Sequence, residues 1–115
     1  MQTPNHDKNI IEHILRYCNQ VETAHRDFLH SKDKFIESTT YQNAISMCIL
    51  QIGELVGRLT NAFKANHSEI PWHKIRGMRN YVAHKYGSID FEIVWFASTK
   101  SIPDLRSFCE FFLSE

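Results

Sequence analysis

Apolar residues in this chain recur at three- and four-residue steps from segment to segment, and no stretch alternates with the two-residue step of a half-buried strand. The first stripe runs from Asp7 to about Phe28 through Ile10, Ile11, Ile14, Leu15, Cys18, Val21 and Phe28, with Asp7 as N-cap. A charged connection, His30-Ser31-Lys32-Asp33-Lys34, follows, with a turn of helix near Phe35. Ser38-Thr39-Thr40 offer capping hydroxyls for the longest helix, which runs to about Ala65. Its stripe of Ala44, Ile45, Cys48, Ile49, Ile52, Leu55, Val56, Leu59 and Phe63 is broad enough to place it at the centre of a bundle. Gly53 and Gly57 stand one turn apart in it, each weakening helical propensity by about 1 kcal/mol relative to Ala, so a neighbouring helix is expected to come close there. Asn66 to Pro71 end that helix, and Pro71 suits the first turn of the next, Trp72 to about Lys85, which Gly87 stops. Ser88-Ile89-Asp90 opens another helix with Ile93, Val94, Trp95 and Phe96, and Pro103 starts a last one with Leu105, Phe108, Phe111, Phe112 and Leu113. The expected fold is an all-α, up-and-down bundle of four to five helices.

At 115 residues the chain is expected to form one domain over residues 1–115. No stretch approaches the roughly 20 apolar residues that cross a bilayer, and Met1 to Asp7 lack the basic region and apolar core of a secretory signal, so the expected location is the cytoplasm. Cys18, Cys48 and Cys109 are odd in number and each sits among apolar neighbours, which predicts three buried thiols rather than a disulfide framework. Thirteen basic and thirteen acidic residues cancel. That argues against broad, sequence-independent nucleic-acid binding by net charge, and any RNA is expected to bind a local patch.

The chemistry concentrates in Arg79-Asn80-Tyr81-Val82-Ala83-His84-Lys85-Tyr86. The guanidinium keeps its charge and can grip a phosphate with a planar fork of donors, while an imidazole can take or give a proton near neutral pH. Such groups can cleave RNA without a metal. On a helical projection Arg79 falls at the edge of the apolar arc, where a charge must be paired, and Glu54 of the long helix is the expected partner. A structural salt bridge and a phosphate-binding role both fit that position. Asn80 and His84, one turn apart, can share a hydrogen-bond network on the adjacent face. Arg79 and His84 lie about 140° apart, so they flank a groove, and a second copy across a two-fold axis would bring two such sets around it. His6, His13, His25, His30, His67 and His73 lack metal-ligand spacing and read as surface groups, with His67 and His73 near enough to edge the cleft. Trp72, Trp95 and Tyr81 could stack on bases, but their apolar neighbours favour core packing.

The Arg-x4-His-x-Tyr spacing resembles the signature of HEPN ribonucleases of the HepT type, the toxin half of bacterial toxin–antitoxin pairs. The resemblance extends to Asp7-Lys8-Asn9-Ile10-Ile11-Glu12-His13-Ile14, Gln51-Ile52-Gly53-Glu54-Leu55, Ile70-Pro71-Trp72, Gly77-Met78-Arg79-Asn80, Asp90-Phe91-Glu92-Ile93-Val94-Trp95 and Ile102-Pro103-Asp104-Leu105. It implies a homodimer with paired motifs in an interfacial cleft and metal-independent attack of a ribose 2′-hydroxyl on its own phosphodiester. His84 would then be the base, Arg79 the stabiliser of phosphoryl charge and Asn80 a supporting residue, with no cofactor. It also implies an MntA-type nucleotidyltransferase antitoxin that attaches AMP to the tyrosine two residues after the motif histidine, here Tyr86. Gly87 stands where the family commonly has an aromatic residue. An inactive helical subunit that dimerises and docks a nucleotidyltransferase is the alternative.

Overall fold

The computed structural model describes residues 5–115, and the reading of Met1 to Pro4 as part of no signal peptide lies outside them. The elements are α1 (His6–Asp27), α2 (Lys32–Glu37), α3 (Thr39–Arg58), α4 (Asn61–Asn66), α5 (Trp72–Lys85), α6 (Phe91–Phe96), a π-helical turn (Ala97–Ser101) and α7 (Ile102–Ser114). The fold is all-α, as the periodicity requires.

Four long helical runs, α1, α3, α5 and the continuous α6–α7 rod, make an antiparallel bundle. Asp7 of α1 meets Thr60 beyond the end of α3, while His25 at the far end of α1 meets Tyr41 near the start of α3. Gly53 faces Arg79 and Asn43 faces Tyr86, so α5 runs back along α3. Asn19 bonds Arg106 and His25 bonds Ser98, which sets α1 against the α6–α7 rod in the same antiparallel sense. α3 is central, as its broad stripe predicts, with α1 on one side and α5 on the other. Ile11, Ile14, Ile45, Ile52, Val56, Val82, Val94 and Leu105 are buried between the runs.

Aromatic groups close both ends. Phe28, Phe35, Tyr41, Phe91 and Trp95 gather at one, and Phe63, Trp72, Phe108 and Phe112 at the other. Each aromatic side chain buries a large apolar area, so these plugs seal a bundle whose middle is aliphatic.

Several expectations need correction. Asp7 lies inside α1, behind Asn5 at the N-cap position, and its carboxylate instead accepts from the Thr60 backbone N–H (2.8 Å) and hydroxyl (2.7 Å). The long helix does not reach Ala65. It breaks at Leu59, which turns extended, and Thr60 caps the separate α4 by accepting from the Phe63 N–H at 3.1 Å. The Ser88-Ile89-Asp90 segment does open α6, with Asp90 as the N-cap, accepting from the Glu92 N–H at 2.9 Å. Pro103 stands in the first turn of α7 as expected, and α6 continues into that helix through the π turn, where the Ile102 N–H reaches back to the Ala97 carbonyl. Ser98 and Thr99 hydroxyls both donate to the Trp95 carbonyl, and such back-bonding competes with the regular ladder. The wider turn lets a proline without an N–H follow in the same rod.

His25 is the largest departure. It is buried, not a surface group, bonded through Nδ1 to the Tyr41 hydroxyl and through Nε2 to Ser98 Oγ at 3.0 Å. Burial pushes its pKa down, with the neighbouring His30 adding to the effect, and pushes that of Tyr41 up to about 12. His67 is also no surface group, since its ring packs among Phe63, Phe108 and Phe112. The three cysteines are buried and free as expected, with burial pushing Cys48 up to about 11 and Cys109 up to about 12.

Candidate active site

The site is built where α5 crosses α3. A Cβ at Gly53 would stand 2.0 Å from Arg79 Cβ, so the helices can approach this closely only because position 53 carries no side chain. That approach lays the Arg79 stem on α3 and brings its guanidinium to Glu54. Nη2 meets Glu54 Oε1 at 2.6 Å, which is the pairing the sequence predicts for an arginine at the edge of the apolar arc. Nη1 donates to Asn80 Oδ1 at 3.1 Å. Nε is buried and has no hydrogen-bond partner among the described residues. Leaving such a donor unpaired costs roughly 1–3 kcal/mol. A half-exposed ion pair returns little against that.

Asn80 therefore orients Arg79. It joins the guanidinium, whereas His84 stands exposed on the next turn, outside that network. His84 lies five residues beyond Arg79 on the same helix, about 7.5 Å of axial rise and about 140° of rotation away. An exposed imidazole on a helix with cations and no acidic residue can exchange protons with a bound ligand.

α5 ends at Lys85, and Tyr86 turns the chain, with Gly87 at φ +97°, a conformation that costs glycine little and other residues much. Tyr86 is exposed and its hydroxyl donates to Asn43 Oδ1 at 2.9 Å. A pocket of about 250 Å³ beside it is lined by Thr39, Gln42, Asn43, Ser46, Tyr86, Gly87, Ile89 and Phe91. Tyr81 is occupied otherwise: its hydroxyl accepts from the Asp90 N–H at 2.8 Å and ties this turn to α5. Trp72 and Trp95 pack in the two aromatic plugs. Two residues join the site that the motif alone does not indicate, Asn43 and Arg76. Arg76 lies one turn before Arg79, donates to the Gly53 carbonyl at 3.0 Å and shares Glu54 Oε1 at 3.4 Å. Its spacing from Arg79 is the signal the sequence offers for it. Among the described residues no group of three or more His, Cys, Asp or Glu side chains is placed to hold a metal, and no helix is long and apolar enough to cross a membrane.

An antiparallel all-α bundle of this kind is an architecture of the HEPN type. The family is narrower than the fold. A family model described as Ribonuclease HepT-like matches residues 8–112, and the chain belongs to that family of ribonucleases. It is 31% identical over 106 residues to a protein of Caldanaerobacter subterraneus provisionally named an RNase, covering 92% of this chain and 90% of that one. It is 28% identical over 99 residues to a protein of Thermococcus cleftensis provisionally named ribonuclease HepT, covering 86% and 88%. A Methanocaldococcus jannaschii protein whose name joins gamma-glutamylcyclotransferase to a provisional RNase is 30% identical over 99 residues, 86% of this chain and 44% of that one. No solved structure matches the chain significantly.

Proposed function

We propose that this HepT-like ribonuclease is the toxin of a toxin–antitoxin pair and cuts RNA internally without a metal, using Arg79 and His84. The observation that carries the reading is the Arg79 guanidinium, preset by Glu54 and Asn80, with the exposed His84 five residues further along the same helix. His84 takes the proton of a ribose 2′-hydroxyl, whose oxygen attacks the adjacent phosphorus. The bond to the 5′-oxygen breaks, that oxygen receives a proton from the His84 of a second copy or from water, and the products carry a 2′,3′-cyclic phosphate and a 5′-hydroxyl. Arg79 balances the charge that grows on the phosphoryl oxygens, and Asn80 keeps its fork aimed. One α5 supplies a single copy of the Arg79 and His84 pair, so a two-fold homodimer with α5 beside the interface completes the set.

Control follows from Tyr86. An MntA-type nucleotidyltransferase transfers AMP from ATP to its hydroxyl, forming a phosphodiester and releasing pyrophosphate. The exposed phenol is reachable, and the adduct would set a phosphate charge near the end of α5 and a nucleoside against the groove. The decisive experiment incubates purified protein with RNA in excess chelator, beside His84→Ala. Cleavage by the wild type alone, leaving cyclic phosphate ends, is the expected result; a folded wild-type dimer that docks the nucleotidyltransferase and never cuts would make it a binding subunit. Exposure to the nucleotidyltransferase and ATP should add AMP to Tyr86 and stop cleavage, and an adduct there without loss of cleavage removes this mode of control.

A further inference from the structure

We propose that a groove beside α5, bordered by Lys64, His73 and Arg76, binds the RNA backbone next to the phosphate held at Arg79. The inference rests on the ribonuclease reading and gives it a second, sequence-independent subsite. The groove has a volume of about 390 Å³ and is lined by Val56, Gly57, Lys64, Trp72, His73 and Arg76, with no carboxylate in its wall.

Three observations converge on a polyanion. Residues 70–89 carry Lys74, Arg76, Arg79 and Lys85 with His73 and His84 but no Asp or Glu, although acidic and basic residues are equal in number over the whole chain. Segregation of that kind makes the local patch a neutral protein needs for RNA. Gly57 makes room for the cation: a Cβ there would come within 2.9 Å of Arg76 Nη1 and 3.0 Å of Cζ. Both protein bonds of the Arg76 side chain use Nη1, to the Gly53 carbonyl and Glu54, which leaves Nη2 and Nε as donors without a partner among the described residues.

The occupant's form follows from the surroundings. Trp72 is buried and its indole N–H donates to the His67 carbonyl at 3.0 Å, so it floors the groove and offers no face for a base. What remains to be bound is charge. Arg76 sits about 4.5 Å of helical rise from Arg79, and Glu54 bridges the two guanidinium groups. A polymer with a phosphate at each nucleotide can engage both at once.

The test measures binding of a short, labelled single-stranded RNA across a salt series, in the His84→Ala background so that the ligand survives. Lys64→Ala, Arg76→Gln and the Lys64→Ala/His73→Ala pair should each weaken binding several-fold and lower the salt slope by roughly 0.7 for each phosphate no longer neutralised. Lys64→Arg should retain both, and circular dichroism shows whether each variant is folded. Unchanged affinity and slope in folded Lys64→Ala/His73→Ala overturn the subsite, even if the wild type cuts RNA. A wild type that fails to cut, yet binds with a groove-dependent slope, removes the nuclease reading and keeps the subsite. Groove-dependent binding of polyglutamate with none of RNA would assign the groove to an acidic protein partner instead.

Discussion

In the proposed mechanism Arg79 carries two opposite demands, since its charge must be neutralised where it sits and yet remain available to a phosphate. Glu54 meets the first through an exposed carboxylate that shares one oxygen with Arg76, so an arriving phosphate need displace only part of one ion pair. Replacing Arg79 or His84 with Ala should lower RNA cleavage by at least ~100-fold while leaving the bundle folded, because phosphate binding and proton transfer are separate contributions of that size. Single-turnover kinetics with each variant checks this, and full activity in folded His84→Ala would remove the mechanism. The Arg79–Glu54 pair is legible from the sequence because a charge at an apolar edge has to find a counter-charge. His25 is not legible, because what makes it a core residue is a hydroxyl 16 residues away and another 73 away.

At the scale of helices, the glycines separate packing from propensity. Gly53→Ala puts a methyl 2.0 Å from Arg79 Cβ, an overlap with stiff atoms that must push α5 off α3. It should cost about 1–3 kcal/mol in spite of the better helix former, and it should lower cleavage by moving the guanidinium. A methyl at Gly77, also in α5, would meet nothing within 4 Å, so Gly77→Ala should stabilise by about 0.5–1 kcal/mol. Urea titration of the two variants tests the contrast, and equal effects would mean that the close crossing is absent. Periodicity announces the close approach at Gly53 and Gly57 but not the break at Leu59, whose cause is the carboxylate of Asp7, 53 residues earlier, holding Thr60. The π turn is hidden likewise, since Ser98 and Thr99 read as ordinary helix residues until their hydroxyls are seen on the Trp95 carbonyl.

For the whole molecule, the buried His25 makes stability depend on pH. Tyr41, Ser98 and Trp95 surround it, with His30 stacked at 5.6 Å and Glu22 near enough to oppose the shift weakly. A histidine whose folded pKa lies below its unfolded value of about 6.5 binds more protons when unfolded. Its contribution is therefore fully present above that pH and is lost as pH falls through it toward the lowered folded value. Thermal melting between pH 8 and pH 5 should show this acid loss, and His25→Gln should flatten it; an identical slope in the variant would assign the loss to other groups. Association is the second whole-molecule expectation. Phe96 and Met47 are more than half exposed, and Phe96 borders an apolar cavity of about 230 Å³ with Ile49, Ile75 and Met78. Light scattering at micromolar concentration should find a dimer that Phe96→Asp dissociates with loss of cleavage, and an active wild-type monomer would refute it.

Helical class, the central place of α3, the close crossing at Gly53 and the Arg79–Glu54 pair were all determined by sequence alone, because each follows from neighbours three or four residues apart or from one charge that needs another. Tertiary structure decided that His25 is core, that Asn80 serves Arg79 and stands apart from His84, and that Arg76, Lys64 and His73 share a groove. Those outcomes depend on which helix faces which, and at what height, and side chains separated by a whole helix in sequence meet only after the bundle has chosen its register.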